Sequence, residues 1–89
     1  MGTNAANVVY SPTPAYPPAA SAAHVQGEVK LQANVDRKGN VASVRVISGP
    51  PLLREAALDA AQRWRYRPNI AAGEPTPMNA ITVFEFQLP

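Results

Sequence analysis

Residues 27–48, GEVKLQANVDRKGNVASVRVIS, decide the fold. Val29, Leu31, Ala33 and Val35 alternate with Glu28, Lys30, Gln32, Asn34 and Asp36. Strict period-two alternation sends the two sets of side chains to opposite sides of an extended chain, which is the pattern of a half-buried strand. Asp36-Arg37-Lys38-Gly39-Asn40 supplies turn formers, with Gly39 free to take a positive φ. Residues 41–48, VASVRVIS, resume the alternation with Ala42, Val44 and Val46 in phase. The stretch predicts an antiparallel hairpin with one apolar face.

Downstream, Gly49-Pro50-Pro51 breaks the second strand. Residues 52–66, LLREAALDAAQRWRY, are mostly strong helix formers. Leu53, Ala57, Ala60 and Trp64 stand at i, i+4, i+7 and i+11 and share one helical face. Glu55, Asp59, Gln62 and Arg63 make the wet face, with Asp59 and Arg63 spaced as an acid-to-base pair. Pro68 disfavours helical backbone at Arg67, so the helix is predicted to end near Tyr66. Residues 69–77, NIAAGEPTP, read as a loop. Residues 78–88, MNAITVFEFQL, read as a last strand rich in β-branched and aromatic residues. Thr82, Phe84, Phe86 and Leu88 would face the helices, and Ile81 and Val83 the other side.

Upstream, residues 17–25, PPAASAAHV, predict a short helix opened by proline and stopped at Gly27. Residues 8–18, VVYSPTPAYPP, predict an extended arm, because proline fixes φ and removes amide donors. The order arm-α-β-β-α-β predicts an α+β domain, with two helices packed on one face of a three-stranded antiparallel sheet. Its expected core is Val29, Leu31, Val44, Val46, Leu53, Ala57 and Trp64. Residues 1–15 would be the end of a linker and 16–89 the domain. Such a sheet has two edges, whose main-chain polar groups can receive another extended chain.

Candidate chemistry is sparse. The chain has 89 residues and a formal net charge of +2, enough for one small domain and too weakly basic to make nucleic acid the default partner. It contains no cysteine, which excludes disulfides and thiolate metal sites. No apolar run reaches the length of a membrane span. The single histidine, His24, has no acid or nucleophile at a spacing that pairs with it. Glu28, Asp36, Glu55, Asp59, Glu74 and Glu85 form no metal-ligand or acid–base spacing. The expectation is therefore no enzyme, no metal and no cofactor. Residues 63–68, RWRYRP, allow two readings. Trp64 and Tyr66 could stack on bases with the arginines on phosphates. Alternatively, the run ends a helix, with Trp64 inward and cations complementing the dipole. Helical periodicity favours the second, and no nucleic-acid partner is expected.

Taken together, several of these residues make a recognisable string. Tyr16-Pro17, Gly27, VDRKGNVASVRVIS at 35–48, Ala56-Ala57, WRYRP at 64–68, Gly73 and the closing FEFQL occur in order. This resembles the C-terminal domain family of TonB, the energy transducer of the Gram-negative cell envelope, over roughly residues 8–89. The resemblance implies a periplasmic domain, tethered by a proline-rich linker to an inner-membrane segment outside this sequence. It implies an ExbB–ExbD-type proton-driven motor as one partner. It also implies binding of the TonB box, a short peptide of outer-membrane transporters, as a strand added to the last strand. Carried over, the partner-binding residues are Ala80, Ile81, Thr82, Val83, Phe84, Glu85 and Phe86, flanked by Thr13, Pro14, Ala15 and Tyr16. The chain departs from the family pattern in two places. SPTPA, before Tyr16, lacks the glutamine-type residue of some members, and no extra strand follows Leu88. Strand addition needs an edge and little side-chain chemistry, which agrees with the missing active site. The same edge allows a homodimer by edge pairing or strand swapping. The alternative identity is a TolA-like or TonB-like interaction or dimerisation module of another envelope protein.

Overall fold

The computed structural model describes residues 8–88. Residues 1–7, the start of the expected arm, and Pro89 lie outside the described residues. Nine elements follow in order: β1 (Val8–Tyr10), α1 (Pro18–Ala22), β2 (Gly27–Val35), β3 (Val41–Ser48), α2 (Pro51–Gln62), β4 (Arg65–Tyr66), β5 (Asn69–Ala71), β6 (Glu74–Thr76) and β7 (Met78–Phe86). The main sheet has the order β3-β2-β7 and is antiparallel throughout. Both helices pack on one of its faces, as an α+β domain of this element order predicts. Two short ladders, β1-β4 and β5-β6, stand outside that sheet.

The alternation of β2 becomes burial. Val29, Leu31, Ala33 and Val35 are all at most 2% exposed, while Lys30 and Asn34 between them are open to solvent. The turn after β2 is closed by Asp36, whose Oδ1 accepts the main-chain N–H groups of Lys38 and Asn40, each at 2.9 Å. Strand β3 is less regular than its sequence suggests. Asn34 pairs with Ser43 but Val35 pairs with Val41, so Ala42 is the extra residue of a bulge. The expected inward phase of Ala42 is therefore corrected: Ala42 is exposed and Val41 packs inward instead. Val44 and Val46 are half-buried under the helices.

Helix α2 begins with Pro50 as an extended N-cap and Pro51 in its first turn. It buries Leu53, Ala57, Ala60 and Ala61. Three alanines in that stripe let its backbone lie close to the sheet. The expected helix end near Tyr66 is corrected to Gln62. Extended backbone at 65–66 gains what a longer helix would forgo. There the Tyr66 N–H donates to the Gly39 carbonyl at 2.8 Å, Arg65 bridges Asn40, and the pair ladders with β1.

Helix α1 stops at Ala22, short of the expected Val25. His24 takes a φ of 56°, and the Val25 and His24 N–H groups reach back to Ala20 and Ser21 carbonyls at 2.9 and 3.1 Å. This is a Schellman closure with histidine where glycine is usual. The expected loop at 69–77 is instead a hairpin. Ala72 and Gly73, both at positive φ, form its two-residue turn, and Asn69 Nδ2 donates to Thr76 Oγ1 at 3.0 Å.

The core falls into two clusters. One lies between helices and sheet, around Ala20, Val29, Leu31, Leu53, Ala57, Phe84 and Phe86. The other joins Ala33, Val35 and Tyr66 to Val8, Val41, Met78 and Ala80. Trp64 and Val44 touch both.

Candidate functional site

Strand β7 alternates as the sequence predicts: Thr82, Phe84 and Phe86 are buried, Val83 and Glu85 exposed. It pairs with β2 along its whole length, from Gly27 opposite Phe86 to Val35 opposite Met78. Among the described residues, no strand flanks β7 on its other side. Alternate residues of an edge strand direct both main-chain polar groups away from the sheet.

The arm runs beside this edge. Val8 sits opposite Tyr66, the Trp64 indole N–H donates to the Pro12 carbonyl at 3.0 Å, and the Tyr16 ring meets Phe86 edge-on at 5.6 Å. The Tyr16 hydroxyl donates to the Val25 carbonyl. Prolines hold the arm extended without offering amide donors that would close a ladder with β7. Between arm and strand lies a groove of about 300 Å³, lined by Thr13, Pro14, Tyr16, Val83, Phe84, Glu85, Phe86 and Gln87. Seven of the eleven residues expected at a partner-binding edge thus gather around one groove. Ala15 is exposed beside it and does not line it. Ala80, Ile81 and Thr82 belong to the same strand but lie upstream. Ala80 packs on the second core cluster, and Thr82 hydrogen-bonds the Tyr66 hydroxyl.

The run RWRYRP divides among several tasks. Trp64 is half-buried and packs edge-on against Phe84 at 5.6 Å and tilted on Tyr66 at 6.2 Å. It lies past the end of α2, so its inward position is set by the turn after the helix. Tyr66, 4% exposed, is the fully buried aromatic of the pair. Burial pushes its phenol above the ordinary value, with the Thr82 hydrogen bond acting the other way. Arg63 pairs with Asp59 at 3.1 Å, and Arg65 Nη1 donates to the Trp64 carbonyl at 2.9 Å. Among the described residues, no group of three or more His, Cys, Asp or Glu side chains comes together. Among the same residues, no helix is long and apolar enough to cross a membrane.

Two features of the site escaped sequence reasoning. The β1-β4 ladder is one, because a three-residue strand and a two-residue strand carry no periodicity. The other is the alignment of Glu28 with Glu85, which depends on a pairing register between segments almost sixty positions apart.

Comparison with known proteins gives one answer. Residues 12–88 match the family described as Gram-negative bacterial TonB protein C-terminal. The chain is 46% identical over 63 residues to Protein TonB of Xanthomonas campestris pv. campestris strain B100, covering 68% of this chain and 28% of that protein. It is 35% identical over 57 residues to Protein TonB of Escherichia coli K12, covering 62% and 24%. The chain thus spans about a quarter of the length of these relatives. The solution NMR structure of the Pseudomonas aeruginosa TonB C-terminal domain superposes with a TM-score of 0.70 at 25% identity, covering 91% of this chain and 84% of that one.

Proposed function

The chain belongs to the Gram-negative bacterial TonB C-terminal family, and on that premise we propose that it binds the TonB-box peptide of outer-membrane transporters by strand addition to β7. The observation that carries this reading is the groove between the arm and Val83–Gln87, bounded on one side by the terminal strand of the sheet. A guest backbone entering there would ladder with β7 while its alternate side chains meet Tyr16 and Pro14. About five ladder bonds, each worth about 0.5–1.5 kcal/mol net, supply a few kcal/mol before ordering costs. Binding would be modest and readily reversed.

In the wider protein the domain would sit in the periplasm, tethered to the inner membrane and driven by an ExbB–ExbD-type motor. It would pass tension from that motor to the bound transporter. The arm, residues 1–15, would be where the tether meets the domain. Titration of 15N-labelled protein with TonB-box peptides tests the reading. The amides of Val83, Phe84, Glu85 and Phe86 shift if it holds. A titration that leaves them unmoved at millimolar peptide counts against it.

A further inference from the structure

Strand β7 carries one charge, Glu85, and its partner across the ladder with β2 is Glu28. Glu85 projects from the sheet face turned away from the helices, because Phe84 and Phe86 on either side of it are buried against them. Neither carboxylate makes an ion pair among the described residues. The nearest cation in register, Lys30, faces Val83 and stands only diagonal to Glu85. Directly opposed like charges destabilise an antiparallel pair. The border of the sheet therefore holds a repulsion that its own cross-strand row leaves uncompensated.

We propose that the incoming strand supplies the missing cation: the peptide that adds to β7 places a lysine or arginine beside Glu85, and a carboxylate at that position is rejected. This rests on the strand-addition reading. Ladder hydrogen bonds are indifferent to sequence, so discrimination falls to the alternate side chains that the ladder aligns. On the groove wall those side chains are otherwise uncharged, leaving Glu85 as the one electrostatic feature to read. A third strand brings its residue to about 5 Å from Glu85, close enough to turn an acid–acid row into acid–acid–base.

The test scans one position at a time through an alternating apolar peptide, placing Lys, Gln or Glu there. Dissociation constants are read from the Val83–Gln87 amides of 15N-labelled domain. At one position Lys should bind about fivefold tighter than Glu. The ratio should shrink at about 0.5 M salt, vanish in Glu85→Gln and invert in Glu85→Lys. In the free domain, Glu85→Gln should raise the urea midpoint. If the amides shift but every peptide binds alike, the charge rule is overturned while strand addition stands. If no peptide moves those amides, both fall. If neutralising Glu85 makes the domain self-associate without changing peptide affinity, the charge guards the edge against self-pairing, and the proposal is overturned.

Discussion

At Gly39 two demands meet. Its φ of 89° closes the hairpin turn, and its carbonyl accepts the Tyr66 N–H. A Cβ there would lie 1.9 Å from the Tyr66 carbonyl oxygen, so the close approach admits no side chain. The turn role is legible in the sequence, where Gly follows Asp-Arg-Lys. The packing role is not, because its neighbour is twenty-seven positions away. Tyr66 shows the same division. The alternating run RWRYRP draws attention to Trp64, yet the buried ring is Tyr66, and Trp64 is the one that ties the arm through Pro12. Because burial raises the Tyr66 phenol above its ordinary value of 10.0, ionisation favours the unfolded chain. Its contribution to stability is thus complete below pH 10 and lost as pH climbs through the raised folded value. Tyr66→Phe should lose about 1 kcal/mol at pH 7 with the Thr82 hydrogen bond. It should also flatten the decline in stability above pH 10. Urea midpoints at pH 7 and in alkaline buffer measure both.

Elements were readable wherever a period ran for two turns or several strand residues. Strands β2 and β7 and helix α2 meet that condition, and their burial follows it. Their ends were less readable, because competing long-range hydrogen bonds set them. Helix α2 yields residues 65–66 to the ladder with β1, although its sequence would continue. Helix α1 stops at Ala22, well before Gly27, because the Schellman bonds from His24 and Val25 close it there. A histidine in left-handed backbone carries a steric cost that glycine avoids. His24→Gly should therefore stabilise the domain by about 0.5–1 kcal/mol, read as a higher urea midpoint with an unchanged m-value. A lower midpoint would show that the His24 side chain makes up for its backbone.

Across the whole molecule, stability should be graded from the centre of the sheet outward. Strand β2 is hydrogen-bonded on both sides and supplies Val29, Leu31, Ala33 and Val35 to the two core clusters. Hydrogen exchange should find its amides the slowest. The β5-β6 hairpin, whose Ile70 is 59% exposed, and the β1-β4 ladder should open first. Protection at β1 equal to that of β2 would contradict this gradient. By itself the sequence determined the α+β class, the hairpin, the inward rows of β2 and β7, and, through its ordered string of residues, the TonB C-terminal family. Those properties depend on local periodicity and turn chemistry, which a linear pattern records. Tertiary structure alone decided where α2 stops, that the arm lies along β7 to make a groove, and that Glu28 opposes Glu85. Each of these depends on a register between segments far apart in the chain, and such registers are chosen by packing and long-range hydrogen bonds.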